Sequence, residues 1–172
     1  PPFFFHAQDG TRDRSPSRGS EMCIRDSITA DALRAAVEGR GDVQESIDLA
    51  YFYAGEGRRL LGMTSPSESR HKLAYAMRAP VGVVAAISPF NFPFAIPALK
   101  ALPALIAGNT VVLKPSSETP LLANRFVEIM QEAGLPDGVL NVVHGPGETV
   151  GETLTQHADV DLVSFTGSLA VG

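Results

Sequence analysis

Four short segments concentrate residue types that hold anions or steady a developing negative charge. The first, Ser88-Pro89-Phe90-Asn91-Phe92-Pro93, brackets one amide side chain between two prolines. Proline fixes φ, so Asn91 is held with its NH₂ group free to point at a ligand oxygen. A rigid donor aimed at developing charge is what an oxyanion requires, at roughly 3–4 kcal/mol per donor in favourable cases. The same residue also reads as a cap on the helix that follows. The second segment, Lys114-Pro115-Ser116-Ser117-Glu118-Thr119-Pro120, sets a lysine at the end of an apolar run, then hydroxyl residues, then a helix start. A cation with hydroxyl donors at a helix N-terminus suits a ribose or a phosphate. A solvated strand-end lysine is the plainer alternative.

The third segment, His144-Gly145-Pro146-Gly147-Glu148-Thr149-Val150-Gly151, spaces glycines so that backbone can approach a ligand. It is not the dinucleotide fingerprint G-x-G-x-x-G, because the third glycine falls one residue late. His144 is given no catalytic role. The fourth, Phe165-Thr166-Gly167-Ser168-Leu169-Ala170-Val171-Gly172, passes from a strand through Gly-Ser into the start of a helix. Backbone N–H groups there, with the Ser168 hydroxyl, would receive a pyrophosphate; a tight turn with an N-cap serine is the alternative.

The elements that must carry these segments follow from periodicity. Strands are expected over Val81–Ile87, Thr110–Leu113, Val139–Val143 and Leu162–Phe165, separated by helices over Ala95–Ala107, Leu121–Ala133 and Thr149–His157. Strands apolar on both faces that alternate with helices specify a doubly wound α/β domain on a parallel sheet. In such sheets ligands sit beyond the carboxyl ends of the strands, where all four segments fall. Gly108-Asn109 and Gly134-Leu135-Pro136 end helices, and Pro120 suits a first helical turn. Ahead of the sheet, a helix is expected from Ile28 to about Leu61 with Ile47, Ala50, Tyr51 and Ala54 as its apolar face. Thr64-Ser65-Pro66-Ser67 reads as a loop, and Lys72–Arg78 as a half-buried strand with Leu73, Tyr75 and Met77 inward.

Composition sets the outer limits. The 172 residues are 44% hydrophobic and 19% charged, with mean hydropathy +0.07, which describes one soluble globular domain. A net charge of -5 and a pI near 5.3 argue against nucleic-acid binding, which needs clustered Lys and Arg. An acidic cytoplasmic enzyme fits better. One cysteine, Cys23, excludes an internal disulfide framework and a Cys-rich metal site, and no metal is expected. The Phe3-Phe4-Phe5 run has no basic leader, and the longer apolar stretches are broken by Gly or Pro, so neither a secretion signal nor a membrane span is expected. Residues 1–27, rich in Arg, Ser, Asp and Pro without periodicity, read as a disordered tail, and the part from Arg12 to Ser27 resembles translated sequencing adapter foreign to the domain.

In order and spacing the Asn91 loop, Lys100, the Lys114-Pro115-Ser116-Ser117 run and Phe165-Thr166-Gly167-Ser168 resemble the aldehyde dehydrogenase superfamily. The resemblance covers about Ile28 to Gly172 and implies a partial Rossmann-like NAD(P)-binding domain, with N-terminal helices over 28–62 and the α/β core over 80–172. It implies that Asn91 is the oxyanion-hole amide and Lys100 the buried lysine of a proton path. It further implies that Lys114 contacts the adenine ribose, that Gly167 and Ser168 form the pyrophosphate site, and that Phe165 and Thr166 line the nicotinamide side. Ser88, Pro89, Phe90, Ser117, Gly147 and Gly151 are counted with the cofactor-binding residues.

Members that prefer NAD usually carry glutamate at the position of Ser117, where it repels a 2′-phosphate. A small neutral Ser117 beside Lys114 therefore implies that NADP is accepted as well as NAD. The helix over 41–60 resembles members acting on semialdehydes. The family's nucleophilic cysteine and general-base glutamate follow the Phe-Thr-Gly-Ser motif, so the catalytic domain is expected to be absent from this chain and the chain alone to be inactive. The full-length parent is expected to oxidise an aldehyde through a thiohemiacetal and a thioester, and to form a homodimer or homotetramer. A nucleotide-binding module without redox chemistry is the alternative.

Overall fold

The computed structural model describes residues 36–169 and 171. The tail over 1–27 with Cys23, the helix expected over 28–35, and Ala170 and Gly172 of the last segment lie outside the described residues. The chain runs α1 (Ala36–Gly57), β1 (Met63–Pro66), β2 (Leu73–Ala76), β3 (Val83–Ile87), α2 (Ala95–Ile106), β4 (Thr110–Lys114), α3 (Pro120–Glu132), β5 (Leu140–Val142), a π-helical turn (Gly147–Gly151), α4 (Glu152–Gln156) and β6 (Leu162–Phe165).

Four of these strands form one sheet in the order β5-β4-β3-β6. Every pair is parallel, with Ile87 opposite Lys114 on one side and Phe165 on the other. Going from β3 to β4 to β5 the chain steps one way across the sheet; from β5 it returns to place β6 on the other side of β3. Because such crossovers are right-handed, α2 and α3 share one face and the turn with α4 takes the opposite one. This is the doubly wound arrangement, and its direction reverses between β3 and β6.

The core lies on the α2–α3 face. Val84 and Ala86 of β3, Val111 and Leu113 of β4, Ala98, Ala101 and Leu102 of α2, and Leu122, Ala123 and Phe126 of α3 are buried in one cluster. Phe94 meets Phe126 edge to face with ring centroids 5.6 Å apart. Alanines on both α2 and β3 let the helix sit close to the sheet, and α1 packs on α2.

The side of α1 that packs differs from the expected one. Tyr51 is 78% exposed and Ala50 and Ala54 are also exposed. The packed stripe is Asp42, Val43, Ser46, Leu49 and Tyr53, together with Ile47, the one expected residue that packs. Two polar residues within the stripe hide it from a hydrophobic pattern. Both are satisfied internally: Asp42 accepts backbone N–H groups of α2 and Ser46 Oγ donates to the Asp42 carbonyl at 2.8 Å.

Met63–Pro66, expected as a loop, is a strand paired antiparallel with Leu73–Ala76. Both strands are exposed along their length, and Leu73, Tyr75 and Met77, expected inward, are 74%, 64% and 76% exposed. The single helix expected over Thr149–His157 is instead a five-residue π-helical turn followed by a five-residue α4. Val150 N–H bonds back to the Pro146 carbonyl, and Gly145 before it has φ +150, so the wide turn starts earlier than the apolar pattern does. The bounds of β3 to β6, α2 and α3 fall within two residues of expectation, while α1 ends at Gly57, four residues before the expected Leu61.

Polar side chains fasten the amino end of β3. Asn109 Oδ1 accepts from Val81 and Gly82 N–H at 2.7 and 3.0 Å, while its Nδ2 donates to the Ala104 carbonyl at 2.9 Å. Asp161 Oδ2 accepts Val83 N–H at 2.8 Å. Gly82 has φ +128 and a Cβ there would overlap the Asp161 carboxylate, so position 82 admits only glycine on both counts.

Candidate nucleotide and oxyanion site

The four loops meet at the carboxyl edge of the sheet because backbone bonds tie them in sequence. Ser88 N–H donates to the Lys114 carbonyl at 3.1 Å and Thr166 N–H to the Ile87 carbonyl at 3.1 Å. Ser117 Oγ donates to the Gly145 carbonyl at 3.2 Å. The Asn91 loop thus lies between the Lys114 loop and the Thr166 loop, and the Lys114 loop joins the glycine-bearing third loop.

Lys114 is not a solvated strand-end lysine. It is 4% exposed, its Nζ donates to the Pro115 carbonyl at 2.9 Å, and burial lowers its pKa from the ordinary lysine value. A strand alternates its side chains, so Lys114 shares the Ile87 and Phe165 face, opposite α2. The π-helical turn lies against it there: a Cβ on buried Gly151 would stand 3.8 Å from the lysine Cδ and Cε. A buried ammonium with one carbonyl partner keeps donor capacity for an anion or a ribose.

Ser88, 4% exposed, follows β3 directly, and its Oγ is buried without a hydrogen-bond partner among the described residues. Asn91 is exposed in the bend between Pro89 and Pro93. As a helix cap it would accept from Phe94 N–H, three residues on. That amide is bound by Asp42 Oδ2 at 3.1 Å, and Ala95 N–H by Asp42 Oδ1 at 2.9 Å. Asp42, on α1, therefore does the capping, and Asn91 stands in a loop anchored immediately behind it. Phe90 is half exposed beside Asn91, and Phe165 is exposed at the end of β6.

Lys100 projects from the middle of α2 and is 9% exposed. Its Nζ donates to Ser164 Oγ on β6 at 3.0 Å, and burial lowers its pKa. Lys100 and Lys114 thus occupy opposite faces of the same sheet edge. Gly147 and Ser117 are exposed at the rim on the Lys114 side. Thr166, Gly167 and Ser168 form an exposed bend, and Val171 N–H closes a turn on the Ser168 carbonyl at 3.1 Å. The described residues of this last segment form a turn rather than the expected helix. His144 Nε2 lies 2.8 Å from Asn124 Oδ1 and takes no part in the edge.

Two residues were missed from the sequence. Asp42 sits within a helical segment whose apolar pattern points elsewhere, and Ser164 sits inside an apolar strand. The one local signal for each is a small polar residue at a position the fold must bury.

Residues 21–172 match the model of the aldehyde dehydrogenase family. The chain belongs to that family. It is 47% identical over 135 residues to the alpha-ketoglutaric semialdehyde dehydrogenase of Bacillus subtilis strain 168, covering 78% of this chain and 28% of that protein. It is 46% identical over 161 residues to the NADP/NAD-dependent aldehyde dehydrogenase PuuC of Escherichia coli K12, covering 93% of this chain and 32% of the relative. The crystal structure of an NAD-dependent aldehyde dehydrogenase from Sinorhizobium meliloti superposes with a TM-score of 0.86 at 38% identity, over 90% of this chain and 31% of that one. The chain therefore spans about a third of the length of these family members. The doubly wound sheet is the fold shared with the Sinorhizobium structure, which is named for NAD, and the Escherichia coli relative is named for NADP and NAD. Among the described residues no helix is long and apolar enough to cross a membrane.

Proposed function

We propose that this segment forms the nucleotide-binding half of an NAD(P)-dependent aldehyde dehydrogenase and also supplies the amide that steadies the aldehyde oxygen. One observation carries the reading: Ile87 and Phe165 end adjacent parallel strands at the point where the sheet reverses direction. Such a crevice is where doubly wound sheets hold dinucleotides. The donors fit a nucleotide by their own chemistry, since Lys114 is a buried cation with one carbonyl partner and Ser88 Oγ is a buried hydroxyl with none among the described residues.

In this reading Lys114 holds the adenosine ribose, and Ser117 at the rim leaves room for a 2′-phosphate, so NADP is accepted alongside NAD. Gly151 holds the π-helical turn against the lysine stem, and Gly147 opens the rim where backbone can approach the nucleotide. Gly167 and Ser168 receive the pyrophosphate through backbone N–H groups, and Thr166, Phe165, Ser88, Pro89 and Phe90 wall the cleft. When bound, the nicotinamide supplies the hydride-accepting carbon. Asn91 donates to the aldehyde oxygen as negative charge grows on it, and Lys100 relays protons on the α2 side.

Residues 28–172 form the cofactor-binding part, and the family's nucleophilic cysteine is not among them. Semialdehyde oxidation is the favoured activity, supported by the sequence resemblance over residues 41–60 and by the name of the Bacillus relative. The intact protein is cytoplasmic and a homodimer or homotetramer, and these 172 residues alone do not turn over an aldehyde.

Titration of NADP and NAD onto the intact protein tests the reading. Saturable binding that Lys114→Met weakens about tenfold, roughly 1.4 kcal/mol, is expected. Binding indifferent to Lys114→Met, or no binding of either nucleotide, overturns it.

A further inference from the structure

We propose that Ser164 is a positioning residue that fixes the Lys100 head group between the Asn91 loop and the Thr166-Gly167-Ser168 turn. This rests on the reading of Lys100 as a participant in the reaction. Lys100 leaves α2 on its buried side, among Ala98, Ala101 and Leu102. Among the described residues it makes no ion pair, and Ser164 Oγ at 3.0 Å is its hydrogen-bond partner.

A lysine ammonium is a compact charge on a flexible four-carbon stem, and one fixed acceptor determines where its other donors point. The acceptor is well placed for that task. Ser164 pairs with Ala86 in the parallel register, so its side chain takes the face that α2 covers. One residue on, Phe165 pairs with Ile87, and Thr166 N–H then binds the Ile87 carbonyl. The bond from Lys100 to Ser164 therefore joins the helix that follows the Asn91 loop to the strand that leads into the Gly167-Ser168 turn. On the face that α2 covers, the Ser164 hydroxyl accepts from Lys100. Accepting from Lys100 is its visible task.

A double-mutant cycle in the intact enzyme tests the proposal, because residues that act through one another are not additive. Ser164→Ala lowers kcat about tenfold while leaving the KM for the nucleotide near wild type. Ser164→Thr, which keeps a hydroxyl, restores most of kcat; Ser164→Cys, which keeps the volume and loses the strong acceptor, behaves like alanine and guards against a packing artefact. In a Lys100→Gln background, Ser164→Ala changes kcat less than twofold. An equal loss in both backgrounds, or an unchanged kcat in Ser164→Ala, overturns the role of Ser164 while leaving that of Lys100 standing. An unchanged kcat in Lys100→Gln overturns both, and so separates the two failures.

Discussion

Replacing Asp42 by alanine removes the acceptor of two backbone amides at once. Its carboxylate is 0% exposed and takes Phe94 N–H at 3.1 Å and Ala95 N–H at 2.9 Å. Both amides belong to the first turn of α2, where no intrahelical carbonyl can reach them. Phe94 and Ala95 are themselves buried, so water does not replace the lost acceptor. Losing a cap costs about 0.5–2 kcal/mol, and stranding a buried donor about 1–3 kcal/mol. Together these give a predicted destabilisation of about 3 kcal/mol. With a urea slope of about 2 kcal/mol per molar, the unfolding midpoint falls by about 1.5 M. Asp42→Asn keeps one acceptor and turns an NH₂ toward the other amide, so about half of that loss is expected. Urea unfolding followed by circular dichroism on the two variants, at matched slope, is the assay. A midpoint within about 0.3 M of wild type for Asp42→Ala, or an Asn variant indistinguishable from Asp, would show that the carboxylate does not hold α2.

Three further predictions concern the site. Asn91→Ala lowers kcat of the intact enzyme by about 10²–10³-fold with nucleotide affinity unchanged, as for loss of one oxyanion donor; steady-state kinetics with a semialdehyde checks it, and an effect confined to KM would contradict it. Ser117→Glu sets a carboxylate at the rim near Lys114 and weakens NADP about tenfold while sparing NAD, a repulsion of roughly 1.4 kcal/mol, read by parallel titrations. For Lys114 the pH dependence has a definite sign. Burial lowers its pKa below the ordinary 10.5, so between the lowered value and 10.5 the unfolded chain binds more protons and stability rises with pH. The stability difference between Lys114→Met and wild type therefore shifts toward wild type as pH rises through that window, and urea midpoints at neutral pH and near pH 10.5 measure it. A difference constant with pH would show that Lys114 is not desolvated.

Much of the sheet was legible because its signals are local. Apolar runs bounded by Gly and Pro marked β3 through β6, Pro120 marked the start of α3, and the alternation of strands with helices gave the doubly wound class, while the strand order β5-β4-β3-β6 came from the structure. The loops at the strand ends were legible for the same reason: Lys114 and Asn91 are unusual at the positions where a parallel sheet receives ligands. What escaped reading is long-range and polar. Asp42 reaches amides 52 and 53 residues away, Lys100 reaches Ser164 across 64 residues, and Asp161 reaches Val83 across 78. No periodicity within a window encodes such a bond. The same cause misdirected α1, where Asp42 and Ser46 occupy the packed stripe and Tyr51 and Phe52 face outward. In Met63–Pro66, pairing with Leu73–Ala76 outweighs the turn character of Thr64-Ser65-Pro66-Ser67, because Pro66 stands at the end of a two-stranded ribbon where a missing N–H is tolerated.

A crystal structure of the intact protein grown with NADP would show whether the reversal of strand order between β3 and β6 holds a dinucleotide. The expected arrangement has the adenosine ribose within hydrogen-bond distance of Lys114 Nζ, the 2′-phosphate beside Ser117, and the pyrophosphate at Gly167 and Ser168. Nucleotide bound elsewhere, with Lys114 Nζ still on the Pro115 carbonyl and no contact from the Asn91 loop or the Thr166 turn, would contradict it.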